Sequence, residues 1–344
     1  MRVIATQPNY CVNSGISYTC LSLMDQMGEG TERVYWTYLF SPDVRRSYSK
    51  DAVSRLAYRV VTKLDLPESL LARRFRSRVL DDVGAGDVVW IWPRYSDGFL
   101  SRLRARGASI VTERVNTCEP MARRRIGAAY AHLGLKPPRA WTDSDEASRV
   151  DAQVSTEADA VFAPNAFVHD SLLEIGCPVE KILDTSYGWC PERLARKSTE
   201  KPLRDGRLRF LYVGTGCVRK GLPLLLRAWR DAGVDGELLI AGEIDDEVIA
   251  VCDDLLNARG VVRLGHVQDI APVYHSADVF VFPTHEEGGP QVTFEAAGCG
   301  LALVVSPMGA AGAFRDATDA LVLDPYDHEA WVATLRNLDR DRDL

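Results

Sequence analysis

Val279-Phe280-Val281-Phe282, followed by Pro283-Thr284-His285-Glu286-Glu287-Gly288-Gly289-Pro290 and then Gln291-Val292-Thr293-Phe294-Glu295-Ala296, reads as a buried strand, a tight turn and the opening of a helix. Four apolar residues in a row suit a strand covered on both faces. Proline is welcome in a first helical turn, where its missing N–H has no partner to lose, so the helix is expected to begin near Pro290. Entry through Gly288 and Gly289 leaves backbone N–H groups at the helix start with no Cβ in front of them, a ready seat for a diphosphate. Glu287 lies in the turn and Glu295 about one and a half turns into the helix, so both carboxylates can face one mouth. A carboxylate accepts two hydrogen bonds from a vicinal diol; one glutamate then suits a sugar ring and the other a ribose. Two acids at this spacing alone would be an ordinary solvated face. The ordered setting, with Glu-Ala-Ala-Gly-Cys-Gly leading into the strand Leu301–Val305, raises the pair above that.

Outward from this block, strand and helix alternate in both directions. The second half is expected to hold strands or helices at Leu208–Val213, Leu222–Ala232, Glu237–Ala241, Val261–Leu264, Val279–Phe282, Gln291–Gly298, Ala302–Val305 and Ala320–Leu323. The first half repeats the form, with strands at Val3–Thr6, Val34–Leu39, Val88–Trp92, Ser109–Thr112 and Ala160–Ala163, and helical spacing over Ser17–Met27 and Phe99–Arg106. Short apolar runs alternating with amphipathic stretches are the sequence form of a parallel α/β fold. Between the halves, Arg193–Arg207 is charged, poor in apolar residues and contains Pro202, which marks a linker. The expected organisation is two Rossmann-like domains, 1–195 and 196–344, facing each other across a deep cleft where open α/β sheets bind ligands.

A second block leads into Leu222–Trp229: Phe210-Leu211-Tyr212-Val213-Gly214-Thr215-Gly216-Cys217-Val218-Arg219-Lys220-Gly221. By itself a glycine-rich turn simply joins strand to helix. In the first half Asn13-Ser14-Gly15-Ile16-Ser17 makes a similar junction, and Glu113, Arg114, Asn116 and Thr117 follow the strand Ser109–Thr112, a carboxyl end where an acceptor would lie.

The block 285–296 resembles the signature of glycosyltransferase family 4, retaining enzymes of the GT-B fold, in its variant with Gly-Gly-Pro after the first glutamate. The resemblance implies that Glu287 contacts donor-sugar hydroxyls, that Glu295 binds the ribose, and that the turn of Gly288 and Gly289, with Pro290, Gln291 and Val292 behind it, receives the diphosphate. It implies further that Gly214 and Lys220-Gly221 match the family's cationic diphosphate loop. The family's arginine position is Thr215 here, which leaves Arg219 as the substitute cation. Val262–Val267, with His266 and Val267 at its end, is similar to the strand and turn that read the nucleobase, and Gly15 occupies the place of a loop lying against the donor phosphates. Ala160–Val168 and Ile182–Arg193 resemble the closing strand of the first domain and the turn between domains, and are expected to be structural. Lys220 and Glu287 are the residues expected at the chemistry. No family histidine is found near Glu113, and the sequence stops at Leu344 before the usual C-terminal crossover helix beyond Trp331–Leu338, which is expected to be either missing or cut off by a shortened chain.

The expected function is retaining transfer of a sugar from a nucleotide-diphosphate sugar to a hydroxyl acceptor in surface glycan or glycolipid synthesis. No resident cofactor or metal is expected: no Asp-x-Asp follows a strand, and Asp143-Ser144-Asp145 looks like a helix cap. A non-catalytic nucleotide-sugar-binding partner subunit and a GT-B epimerase are the alternatives. An oxidoreductase is disfavoured, since no Gly-x-Gly-x-x-Gly follows the first strand.

Composition agrees with a globular chain: 344 residues, 46% hydrophobic and 26% charged, with eight widely spaced cysteines and no Cys-x-x-Cys pair. That spacing argues against zinc and against a disulfide framework. With no apolar run near the roughly 18–20 residues of a membrane span, a cytoplasmic protein is expected. The net charge of −7 is uneven: residues 1–200 hold 27 basic and 25 acidic residues, the rest 14 and 23. Basic residues crowd at Arg73, Arg74, Arg76 and Arg78, at Arg102, Arg104 and Arg106, and at Arg123, Arg124 and Arg125. These are either solvated helix faces or a surface drawn to a phosphate-bearing acceptor or the inner face of an anionic membrane. No nucleic-acid partner is expected.

Overall fold

The structure, a computed structural model, describes residues 1–13, 15–92, 98–138, 145–195 and 206–341. Two compact units emerge: Met1–Cys118 with Asp145–Ala163 and His169–Asp184, and a second that gathers the described residues of Glu119–Ser144, Pro164–Val168 and Thr185–Leu344. The expected linker falls mostly outside the described residues.

The first unit is built on a seven-stranded parallel sheet. Its strands are β1 (Arg2–Cys11), β2 (Glu32–Phe40), β3 (Ser49–Asp51), β4 (Val88–Ile91), β5 (Ser109–Glu113), β6 (Ala160–Ala163) and β7 (Ile182–Asp184), in the order β3-β2-β1-β4-β5-β6-β7. Helices α1 (Gly15–Asp25), α2 (Arg55–Lys63), α3 (Ser69–Asp82), α4 (Phe99–Arg104), α6 (Asp145–Glu157) and most of α7 (Ala166–Glu174) accompany it, while α5 (Glu119–His132) belongs to the second unit. Strand β1 runs well past the expected Val3–Thr6. Its apolar signal stops at Ala5, but pairing to β2 resumes at Tyr10 beyond a register shift that spans Pro8, as expected where a proline has no N–H to give the ladder. Strand β3, Ser-Lys-Asp, has no apolar signature; it is a short polar edge strand, as edges tend to be.

The second unit holds a six-stranded parallel sheet: β8 (Arg209–Val213), β9 (Glu237–Ala241), β10 (Val261–Gly265), β11 (Val279–Phe282), β12 (Ala302–Val305) and β13 (Leu321–Val322), ordered β10-β9-β8-β11-β12-β13. Its helices after α5 and α7 are α8 (Leu222–Ala232), α9 (Asp246–Leu256), α10 (Ala271–Ser276), α11 (Gln291–Gly298), α12 (Pro307–Ala310) and α13 (His328–Arg340). Phe210, Leu211, Tyr212 and all four residues of β11 are buried, the continuous apolar strand of a sheet covered on both sides. Ala122, Ile126, Ala129 and Tyr130 of α5 join this core, and the Tyr130 hydroxyl bonds Glu247 on α9. Trp331 of α13 is fully buried, with its indole N–H donating to the Asp324 carbonyl at 3.0 Å. Both units have the strand order of a doubly wound Rossmann-like sheet. Among the described residues no helix is long and apolar enough to cross a membrane.

Candidate functional site

In a doubly wound sheet, ligands bind beyond the carboxyl ends of the strands at the point where the winding reverses. In the second unit that point lies between the adjacent strands β8 and β11. The loops leaving them are 214–221 and 283–290, which are the two blocks singled out in the sequence. Gly221 takes φ of +74°, and a Cβ there would lie 2.1 Å from the Pro283 carbonyl oxygen. The His285 amide donates to the Arg219 carbonyl at 2.9 Å, and Arg219 Nη1 donates to the Glu286 carbonyl at 2.8 Å. Glycine's missing side chain therefore lets the loops join along their backbones.

This join brings Glu287, Lys220 and Arg219 together. Glu287 is 8% exposed. Its Oε1 lies 3.1 Å from Lys220 Nζ and 3.2 Å from Arg219 Nη1, as charge contacts rather than aligned hydrogen bonds. Burial pushes its pKa up, but the charges of Lys220 and Arg219 outweigh this and hold it below the usual carboxylate range. For Arg219 burial acts against the charge, and Glu287 and Glu286 more than restore it. Lys220 lies along Gly214, where a Cβ would be 3.2 Å from Nζ, and its Nζ is 5.7 Å from the centre of the Phe282 ring. Thr215 is exposed, and its carbonyl accepts from the Tyr212 hydroxyl at 2.9 Å.

Helix α11 begins at Gln291 with Pro290 as its cap. Among the described residues the amides of Gly288, Gly289 and Val292 make no hydrogen bond, whereas that of Gln291 donates to the Gly289 carbonyl at 2.8 Å. The helix entry thus keeps the donors that an anion needs. Asn165 Nδ2 holds the Gly288 carbonyl from the other side, and Asn165 Oδ1 caps α7 through the Val168 amide at 2.9 Å.

Glu295 is buried on the same helix, and both of its oxygens are occupied. Oε1 pairs with Arg193, and Oε2 accepts from the Tyr274 hydroxyl at 2.9 Å. Burial and the neighbouring carboxylate push the Tyr274 phenol well up, so it stays a donor. The segment expected to be mostly structural supplies more than Arg193. Its Tyr187 ring lies where a Gly289 Cβ would be, 1.9 Å from that point, and the Trp189 ring is 2.2 Å from the equivalent point on Gly298. Both glycines are needed because an aromatic ring covers them. Arg193, Tyr187 and Asn165 lie in the two segments whose resemblance was read as structural, and Tyr274 was not singled out from the sequence. Glu286, fully buried against Arg219, was legible only as the neighbour of Glu287.

His266 is exposed just past β10 and Val267 is half-buried. In the first unit Gly15 opens α1 at φ of +54°. Glu113 is buried at the end of β5, and the Arg114 guanidinium is gripped by Asp151 of α6 and donates to the Thr117 carbonyl at 3.3 Å. Asn116 is half-buried in the following bend. Asp143 and Ser144 lie outside the described residues. Among the described residues no group of three or more His, Cys, Asp or Glu side chains comes together as a metal cluster would.

The family model for glycosyl transferases group 1 matches residues 207–341. The capsular polysaccharide biosynthesis glycosyltransferase CapM of Staphylococcus aureus is 27% identical over 140 residues, 39% of this chain and 37% of that protein. The N,N'-diacetylbacillosaminyl-diphospho-undecaprenol alpha-1,3-N-acetylgalactosaminyltransferase of Campylobacter jejuni is 34% identical over 84 residues, 24% of this chain and 22% of its own. The matched part spans well under half the length of these curated relatives. Among solved structures, WaaG, a glycosyltransferase involved in lipopolysaccharide biosynthesis, aligns with a TM-score of 0.70 at 15% identity over 99% of this chain and 91% of its own. HepE of Anabaena, solved with UDP and glucose, aligns with a TM-score of 0.66 at 12% identity over 100% and 91%. At such identities the likeness speaks for the fold. Family match and fold agree: residues 207–341 match the glycosyl transferases group 1 family, and the chain has the GT-B fold, with two parallel-sheet Rossmann-like domains.

Proposed function

We propose that the protein is a retaining glycosyltransferase that moves a sugar from a nucleotide-diphosphate sugar to a hydroxyl acceptor in surface glycan or glycolipid synthesis. The observation that carries this reading is the buried carboxylate of Glu287 held by Lys220 and Arg219 where the winding reverses, next to the unbonded amides of Gly288, Gly289 and Val292. The amides and the two cations receive the diphosphate and stabilise the charge that grows on it as the glycosidic bond breaks. With Thr215 uncharged, Arg219 supplies the second cation. Glu287 orients the sugar hydroxyls. The acceptor oxygen bonds to the anomeric carbon on the face the phosphate leaves, and its proton passes to the departing phosphate oxygen. Glu295 meets the ribose once Arg193 or Tyr274 shares it. No resident metal is required on this account.

A glycolipid acceptor fits a feature of the first unit. Helix α2 has no buried residue, Leu56 and Leu64 are 73% and 64% exposed, and Leu66 and Leu70 follow on the surface. Arg55, Arg59, Arg73 and Arg74 are exposed beside them. Apolar residues flanked by cations suit the interface of an anionic membrane.

Thermal-shift titration with UDP-, GDP- and ADP-sugars tests the donor site, run on the protein as it is and on Lys220→Ala and Glu295→Ala. One donor class should stabilise the parent protein, and both variants should weaken the effect. Unchanged binding in both would overturn the site. The exposed, uncharged Thr215 gives a second reading, a binder that does not turn over, which a stabilising donor with no diphosphate release across an acceptor panel would favour.

A further inference from the structure

A cavity of about 380 Å³ opens in the second unit at the carboxyl ends of β11, β12 and β13, within the roughly 300–1,000 Å³ of small-molecule sites. None of the residues expected at the donor site lines it. Phe167, Met308 and Tyr326 give it apolar surface, and Arg125, His285 and Asp324 give it polar groups. The His285 ring lies against Tyr326 with centres 5.0 Å apart, and the side chain is 4% exposed. Its Nδ1 is sealed with no hydrogen-bond partner. Burial, reinforced by His132 and Arg125, lowers its pKa to about 4, so the ring is neutral near pH 7. The Arg125 guanidinium stands 5.0 Å from the centre of the Phe167 ring. Asp324 Oδ1 accepts from the Tyr326 amide at 2.9 Å, which fixes the carboxylate at the rim.

We propose that this cavity seats the ring of the acceptor, a neutral sugar whose hydroxyls bond Arg125, His285 and Asp324 while its C–H face lies on Tyr326. The proposal rests on the glycosyl-transfer reading above and deepens it. Charge decides the class. A lone cation would suit a phosphate or carboxylate, but a cation, an anion and a neutral imidazole around one space suit a ligand that both donates and accepts without net charge. An anionic sugar would face Asp324 as a like charge. Position decides the role. His285 lines the cavity and Glu287 lies two residues on, so their Cα atoms are at most about 7 Å apart. A ring in this cavity therefore lies beside the same turn that carries Glu287, on which the donor sugar is proposed to rest.

Saturation-transfer NMR with methyl glycosides of glucose, galactose, mannose and N-acetylglucosamine, in the presence of UDP, tests the assignment. Glucose 6-phosphate serves as the anionic probe. At least one neutral glycoside should show transfer from the protein and compete with the others. Arg125→Leu and His285→Phe should each raise its Kd about tenfold, the scale of a lost hydrogen bond to a buried or charged group. Phenylalanine keeps the stacking on Tyr326 and leaves no unbonded nitrogen, so folding should survive. UDP thermal shifts should be unchanged in both variants. The assignment is overturned if no glycoside shows transfer, if both variants bind it as the parent protein does, or if glucose 6-phosphate binds more tightly than every neutral probe. A thermal shift absent from the parent protein with UDP, GDP and ADP alike would instead remove the donor reading, so the two failures are distinct.

Discussion

Lys220 and Glu287 form a pair whose partners could be named before any coordinates, because each sits at a fixed offset from a glycine turn. On the proposed mechanism, Lys220→Ala removes one of the two cations that meet the leaving diphosphate while leaving Arg219 to balance Glu287. A fall in kcat of about 10²–10³-fold is expected, the scale of removing one preorganised charge or donor. Steady-state assays at saturating donor measure it, and a loss confined to KM would contradict the role. His285 makes a separate pH prediction. Its folded pKa is lowered to about 4 from 6.5, so between those values the unfolded chain binds a proton that the folded one refuses. Stability is complete above pH 6.5 and falls as pH drops through the window, by up to about 3 kcal/mol. His285→Phe should flatten that part of the profile, as read by urea midpoints at about pH 7 and about pH 4.5. Equal losses in parent and variant would refute it. The glutamates were legible because motif and turn chemistry are local. Arg193 was not, because its partner Glu295 lies 102 residues away and an arginine after Pro191-Glu192 looks like any surface charge.

At the scale of elements, the two loops at the reversal point act as one piece because Gly221 lets backbone meet backbone. Gly221→Ala would place a methyl 2.1 Å from the Pro283 oxygen at a left-handed φ. The conformational term alone costs about 1–2 kcal/mol, and the contact forces the loops apart. A clear drop in the urea midpoint and a weaker nucleotide-sugar thermal shift should appear together; a shift without the drop would mean the loops are not coupled. Helix α2 shows the opposite condition, an element with nothing from its own unit over its leucines. Replacing Leu56 and Leu64 by serine should lower co-sedimentation with phosphatidylglycerol vesicles about tenfold or more, since each buried leucine contributes about 1.5–3 kcal/mol. Neutral vesicles should bind the parent protein weakly in the same assay. If the double variant sediments as before, α2 is not the contact. The central strands were readable to the residue, as with β9, β11 and β12, because continuous burial demands continuous apolar sequence. The three-residue β3 and β7 were not among the expected strands, since hydrogen bonding at a sheet edge requires no apolar pattern.

Over the whole molecule the order of the sequence and the grouping in space part company. A division at 195/196 follows the charged stretch, yet the described residues of Glu119–Ser144, with Pro164–Val168, group with the later residues. The reason is physical rather than topological. Ala122, Ile126, Ala129 and Tyr130 present an apolar face of α5 to the core that contains β8 and α8. Nothing in α5 announces this, because an amphipathic helix states which face is apolar and not what will cover it. Asn165 holding the Gly288 carbonyl ties the second early segment to the glycine turn itself. A fragment of residues 196–344 therefore lacks both the helix that closes its core and the amide that props its turn. It should unfold at a urea concentration well below that of the corresponding transition in the full chain, bind a dye for exposed apolar surface, and show no nucleotide-sugar thermal shift. Adding residues 116–168 as a separate polypeptide should restore part of the stability if α5 is what is missing. A fragment as stable and as competent for nucleotide sugars as the full chain would show instead that the late residues close their own core.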